Sequence, residues 1–386
     1  MRKCCNLRSF VYLDNSATTK PSQKSIEYIN CALAENWGNP SSLHRLGMDA
    51  ENSVNKARER LAGILKCRAG ELVFTSSGTE ANNTAILGAA LKGAKRGKRI
   101  ITTSIEHPSV LETFERLSSQ GFEVVKLRPD ADGVVPMSQV EEAVNENTVL
   151  LSMMLVNNET GAVQPVREAA KLLHSRAKFA LMHCDAVQAF GKLQICPEKL
   201  GVDLMSVSGH KIHAPKGIGA LYIAKNAHIP PLMTGGGQEG GMRSSTESVP
   251  MICGLGGALE DLGNIERAYE MIEQLNAYAR QRLLETSAVV INSPIDALPY
   301  ILNVSVMGYR SETLLHFLEE RDIYVSSGSA CAKGEGSYVL REMGLDRKRT
   351  DSALRISFSR ENTKEDVDRL VSAITEATQK LRKSSF

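Results

Sequence analysis

The chain is 386 residues long, carries 46 basic against 44 acidic side chains for a net charge of +2, and is 42% hydrophobic. That length exceeds the usual size of one core and predicts two domains, while the balanced charge argues against a nucleic-acid-binding surface or a polybasic membrane segment. No apolar run approaches the roughly 18–20 residues of a membrane span, and residues 1–10 are charged without an apolar h-region, so the expectation is a cytoplasmic chain without a signal peptide.

Taken in order, a short strand is predicted at 10–13, followed by a turn-rich stretch and helices over 22–36 and 44–65, broken by Asn39-Pro-Ser-Ser. Strands and helices then alternate: strand 71–75, helix 79–91, strand 99–103, helix 108–118, strand 123–127, helix 138–145, strand 149–156, helix 166–176, strand 179–184. Two further apolar runs, 202–207 and 218–223, flank a polar hairpin that carries Ser208, His210 and Lys211. Strands alternating with helices of this length indicate an α/β chain with a largely parallel sheet covered on both faces, whose ligands bind beyond the carboxyl ends of the strands. After about residue 262 the pattern changes. A long helix over 265–284, strands at 289–291, 300–306, 323–326 and 354–359, and helices at 312–320 and 363–381 read as a smaller α+β unit.

Cysteines stand at 4, 5, 31, 67, 184, 196, 253 and 331. None forms a C-x-x-C pair, and no Cys/His cluster has zinc spacing, so free thiols are expected and no metal site. Most read as small buried hydrophobes. Cys331 differs: it lies in the small-residue stretch Val325-Ser-Ser-Gly-Ser-Ala-Cys-Ala-Lys333, where a nearby cation favours a reactive thiolate.

Several strand ends carry chemistry. Lys211 sits after an apolar strand; burial disfavours its ammonium and gives an amine able to condense with an aldehyde cofactor, although a lysine in such a turn is more often solvated. Residues 72–83, Leu-Val-Phe-Thr-Ser-Ser-Gly-Thr-Glu-Ala-Asn-Asn, form a strand, a small-residue turn and a helix start, the arrangement of a phosphate cup and also of an ordinary strand–helix turn. Neither a Walker A loop nor a dinucleotide fingerprint is present. Asp185 ends another strand, where it either caps the next turn or meets a cation such as a protonated pyridine nitrogen. His107 and Asn158 occupy similar edges, His107 as a ring that stacks or as a structural imidazole. The glycine-rich stretch 235–246 reads as a mobile loop or a flexible connector. Arg355, a charge within an apolar strand, is suited to clamp a carboxylate.

In their joint order these words resemble the cysteine desulfurases, the NifS/IscS-like family of fold-type I pyridoxal-phosphate enzymes. The resemblance runs from Tyr12-Leu-Asp-Asn-Ser-Ala-Thr-Thr19 to the last helix, with Ser-Gly-His-Lys-Ile-His-Ala-Pro-Lys-Gly, Thr-Ser-Ser-Gly-Thr-Glu-Ala-Asn-Asn and Ser-Ser-Gly-Ser-Ala-Cys as its most specific words. It implies a large domain over 15–262 with a mostly parallel seven-stranded sheet. The small domain would comprise 1–14 and 263–386 and carry the catalytic cysteine. It implies pyridoxal 5'-phosphate bound covalently to Lys211. Asp185 would meet the ring nitrogen, Gln188 the ring hydroxyl and His107 the ring face, with Gly78, Thr79, Ser208 and His210 at the phosphate. Thr246 would reach the phosphate of a neighbouring subunit, which implies a homodimer with shared sites. Asn158 and Arg355 would bind the carboxylate of L-cysteine, and Cys331 would accept its sulfur as a persulfide. The segment after Cys331 is slightly shorter than in housekeeping iron–sulfur members, and their extended C-terminal tail is not seen after residue 380. The sulfur acceptor is therefore open between an iron–sulfur scaffold, a sulfur carrier and a tRNA-thiolation enzyme. A selenocysteine lyase, an aminotransferase of the same fold and a non-enzymatic paralogue are the rival readings.

Overall fold

The computed structural model describes residues 10–327 and 336–384. Its strands in chain order are β1 (Val11–Tyr12), β2 (Leu72–Thr75), β3 (Arg99–Thr103), β4 (Glu123–Leu127), β5 (Thr148–Ser152), β6 (Leu181–Asp185), β7 (Leu204–Ser208), β8 (Gly219–Ile223), β9 (Val289–Ile291), β10 (Ile301–Val306), β11 (Ile323–Tyr324) and β12 (Ala353–Ser357). Seven of them form one sheet in the order β2-β8-β7-β6-β5-β3-β4, parallel except for β8, which runs against both neighbours. The central strands are buried along their whole length, as expected of a parallel sheet covered on both faces.

Helical periodicity makes the covering layers. Helix Val166–Arg176 buries Val166, Ala169, Ala170 and Leu173, an i, i+3, i+4, i+7 stripe, and leaves its charged face in water. Helix Gly78–Gly93 lies across β5, β7 and β8 and is buried nearly all round. A second, antiparallel sheet has the order β12-β10-β9, and β1 pairs in parallel with β11. Helices Ile265–Leu284 and Lys364–Lys380 pack on one another over this smaller unit.

Most predicted elements are present within one or two residues of their expected ends, and two departures have clear causes. The strand predicted over 149–156 ends as a regular strand at Ser152: the Glu106 carboxyl takes the Met154 N–H at 2.7 Å, while Met153 and Leu155 still donate to the His183 and Asp185 carbonyls of β6. Helix Val249–Glu260 has no counterpart in the sequence reading: it is apolar on every side, so it shows no period. Its glycines let it lie directly on helix Gln23–Ala34, where a Cβ at Gly257 would stand 2.6 Å from the Lys24 carbonyl oxygen.

Among the described residues no helix is long and apolar enough to cross a membrane, and no cluster of ligating side chains could hold a metal ion. Cys31, Cys67, Cys184, Cys196 and Cys253 are free thiols. Cys4, Cys5 and Cys331 lie outside the described residues.

Candidate active site

The carboxyl ends of β2, β3, β5, β6 and β7 converge on a pocket of about 350 Å³. At one wall, β2 turns into helix Gly78–Gly93 through Ser77, whose hydroxyl accepts the Glu80 N–H. The turn fits only because its neighbours are small: a Cβ on Gly219 would meet the Ser77 carbonyl carbon at 2.7 Å. Unpaired N–H groups at the start of this helix, Gly78 and Thr79 among the lining residues, face the pocket with Ser208 and His210 beside them. Burial, and next the charge of Lys211, lowers the His210 pKa to about 4, so its imidazole is neutral and serves as a hydrogen-bonding group.

Lys211 lies in the tight turn Gly209–Lys211 that follows β7. Its Nζ donates to the carbonyl oxygens of Ser16 and, at 2.9 Å, Ala17, on the strap of chain that leads away from β1. Desolvation and then Arg355 lower its pKa to about 8, against the opposing pull of Asp14 and Asp185. A substantial neutral fraction is thus present near physiological pH. Asp185, the last residue of β6, is buried, and both its oxygens accept from neutral donors: Oδ1 from Val187 N at 2.9 Å and Oδ2 from Asn82 Nδ2 at 2.7 Å. It therefore caps its turn, as one of the two sequence readings has it, and also lines the pocket.

His107 caps helix Pro108–Ser119, with Nδ1 2.8 Å from Ser109 Oγ. Asn82 donates to the same hydroxyl, which links His107 to Asp185 through two side chains. The His107 ring lines the pocket and is exposed at its mouth. Its pKa is lowered, chiefly by desolvation and also by Lys211, with Asp185 opposing.

Across the pocket, Arg355 on β12 donates to the Asn158 carbonyl at 3.1 Å and to Asp14 Oδ1 at 2.9 Å. Asn158 Oδ1 is buried and has no hydrogen-bond partner among the described residues. Gln188 completes the wall beside Lys211. The structure thus brings together Gly78, Thr79, His107, Asn158, Asp185, Gln188, Ser208, His210, Lys211 and Arg355. Thr246 does not join them; it is exposed on its loop, away from this pocket. That loop is braced, because Glu239 takes a bidentate pair from Arg58 and Arg243 binds Glu80 at 2.8 Å, so the reading as a flexible connector is corrected.

Residues that the sequence did not single out are Asp14, Asn82, Glu159 and the carbonyls of Ser16 and Ala17. Asn82 carries the one local signal, standing one helical turn after Thr79 on the same face. Glu159 is fully buried, and its Oε2 accepts the Ser337 hydroxyl.

These features fit pyridoxal 5'-phosphate. A helix start supplies anion-binding N–H groups, a buried carboxylate held by neutral donors is complemented by a cationic ring nitrogen, and a partly neutral lysine stands between them.

Glu106, at the end of β3, is fully buried, and its Oε2 has no partner among the described residues. Desolvation raises its pKa from 4.5 to about 8. The folded state therefore holds a proton that the unfolded state has lost between these values. The stability this contributes is full below pH 4.5 and disappears as pH rises through about 8. Glu106→Gln keeps the shape without the titration. It is expected to melt with the parent at pH 4 and well above it at pH 9, by a few kcal/mol; parallel melting curves at both pH values would disprove the assignment.

The aminotransferase class-V family model matches residues 11–370. A cysteine desulfurase IscS from Methanosarcina thermophila is 41% identical over 379 residues, covering 97% of this chain and 93% of the relative. Among solved structures, a NifS-like protein superposes with a TM-score of 0.92 at 39% identity, covering 97% of this chain and all of the other. SspA in complex with cysteine superposes with a TM-score of 0.81 at 36% identity, covering 92% and 100%.

Proposed function

The chain belongs to the aminotransferase class-V family, among its cysteine desulfurases, and from that membership we propose that its pocket converts L-cysteine to L-alanine and delivers the sulfur to Cys331 as a persulfide. The observation that carries this reading is Lys211, with its lowered pKa, standing between a helix-start anion cradle and the buried Asp185.

Pyridoxal 5'-phosphate is the cofactor. Its phosphate would be held by Gly78, Thr79, Ser208 and His210, its ring nitrogen by Asp185, its ring hydroxyl by Gln188 and its ring face by His107, with Lys211 as the attachment point. Bound there, it draws electrons from the substrate Cα and so eases loss of the Cα proton. Lys211, once released, is the base that takes that proton and the acid that returns it. Arg355 and Asn158 bind the substrate carboxylate, and the hold of Asp14 and the Asn158 carbonyl on the guanidinium means little ordering remains when substrate enters. In the net transfer the Cys331 thiolate forms a bond to the substrate sulfur, the Cβ–S bond breaks, and the carbon keeps the electron pair and gains a proton. The products are alanine and the Cys331 persulfide.

The domains divide at 14/15 and 262/263, a reading supported by the separate sheets on either side of those points. The protein works as a homodimer in which Thr246 serves the partner's phosphate site. Leu43, 97% exposed, and Trp37, 66% exposed, flank in sequence Pro40, which shares a cleft with Glu239 and Gly240 of the braced loop, and they supply apolar surface for that contact. The sulfur then passes to an acceptor protein in the cytoplasm: a scaffold, a sulfur carrier or a tRNA-thiolation enzyme. The relatives do not favour the selenocysteine-lyase or aminotransferase readings.

Purified protein with its cofactor, given L-cysteine and a reductant, is expected to release sulfide and alanine in equal amounts without any keto-acid acceptor. Alanine formation that depends on an added keto acid would overturn the proposal in favour of an aminotransferase.

A further inference from the structure

Lys192 is buried, only 5% exposed, and has no role in the chemistry above. Its partners are neutral. Nζ donates to Gln188 Oε1 at 3.0 Å and stands 5.7 Å from the centre of the Tyr300 ring. The same amide donates through Nε2 to the Ser16 carbonyl at 3.0 Å, the carbonyl that Lys211 Nζ also uses. A side-chain amide has nearly the same shape either way round, and only its neighbours distinguish oxygen from nitrogen. Here the Ser16 carbonyl, an obligate acceptor, holds the nitrogen at one end and leaves the oxygen to Lys192 at the other. With Nε2 on the Ser16 carbonyl, Gln188 keeps a second N–H for a group in the pocket it lines.

We propose that Lys192 is a positioning residue: by holding Gln188 Oε1 it fixes the amide with its N–H toward the cofactor's ring oxygen, and its charge biases the proton on Lys211. This rests on the cofactor reading given above. The groups facing Lys192 are known: Lys211 and Arg355 repel it, His210 and His213 respond to its charge, and Arg360 and Tyr300 line the same cleft. Burial, then Lys211, then Arg355, lowers its pKa to about 7, so charged and neutral forms coexist near neutral pH. Both forms donate to Gln188, and only the charged one opposes a proton on Lys211.

The test is a pH titration of the visible absorbance of substrate-free, cofactor-loaded protein, in the parent and in Lys192→Met and Lys192→Gln. Methionine removes donor and charge together; glutamine keeps a donor without charge. The midpoint is expected to move to higher pH in both variants, because a cation that disfavours the Lys211 proton is gone. Turnover is expected to fall about tenfold in Lys192→Met, one hydrogen bond's worth, and much less in Lys192→Gln. In a Gln188→Leu background the methionine change should cost nothing more, since it acts through that amide. Lys192 carries a buried charge without an ion partner, and the cost of burying it exceeds that of the one donor lost to Gln188, so Lys192→Met should melt no lower than the parent. Unmoved midpoints, turnover losses that multiply in the double variant, or a clear drop in melting temperature would each overturn the proposal. A parent with no visible band would sink the cofactor reading beneath it, whereas a band with unmoved midpoints would sink this proposal alone.

Discussion

Lys211→Ala is expected to lower turnover by roughly 10²–10⁴, the range spanned by loss of a positioned general acid–base group, and to leave the cofactor without its covalent attachment. The effect is large because the pocket holds no ready replacement. His210 and His107 both have lowered pKa values, and Lys192 is held by Gln188 on the far side of the Ser16 carbonyl. Borohydride reduction of the parent followed by peptide mass analysis should trap the cofactor on Lys211 and nowhere else; label on Lys192 would contradict the assignment. Stability should move the other way. The folded pKa of about 8 lies below the usual 10.5, so the unfolded chain binds the extra proton between those values and stability rises with pH across that window. Below pH 8 the full cost of the buried ammonium remains, and the variant should exceed the parent there, both stripped of cofactor, by up to about 3 kcal/mol. The substitution should therefore produce a sturdier, inactive protein.

Cys331→Ala is expected to stop formation of both alanine and sulfide while leaving the visible band and Lys211 labelling intact. No other thiol is suited to take over among three of those described: burial raises the pKa of Cys67 to about 12 and of Cys253 to about 11, and lifts Cys184 well above its usual value. The chain on both sides of residues 328–335 is fixed at the pocket. Ser326 pairs with the Arg355 backbone in both directions, at 3.1 and 2.6 Å, and the Ser337 hydroxyl binds Glu159. After brief treatment with L-cysteine, peptide mass analysis should find one added sulfur on Cys331. Sulfur on another cysteine, or turnover in the variant close to that of the parent, would refute its role as acceptor.

Elements with a single apolar period were legible in the sequence. Helix Val166–Arg176 and helix Ile265–Leu284 were predicted at their observed ends, because one buried stripe and the flanking breaks define them. Helix Val249–Glu260 was not legible, since a helix enclosed on all sides has no polar face to mark its turns. The same contrast runs through the site. Asp185, His107 and Lys211 stood out because a charge at the end of an apolar run is costly without a purpose. Their supports did not, because nothing local reveals a contact from far along the chain. Asn82 reaches Asp185 across 103 residues, and the Ser16 carbonyl reaches Lys211 across 195. The Glu239–Arg58 brace was hidden for the same reason, across 181 residues.

The strap after β1 has a consequence for how the protein is made. It gives its carbonyls to Lys211 and its Asp14 to Arg355, a partner 341 residues later in the chain. At about 5–20 residues per second, a ribosome needs roughly 20–70 s to travel from one to the other. The nascent chain holds all seven strands of the large sheet by residue 223, yet it has no β11 for β1 to pair with until residue 324 and no guanidinium for Asp14 until residue 355. The Arg355 wall of the pocket is therefore completed only once residue 355 has been made. Truncated products of stalled translation then lack the substrate clamp even where they hold the Lys211 turn, so an amine able to react with aldehydes is left in an open cleft, a practical reason for the cell to clear such fragments quickly.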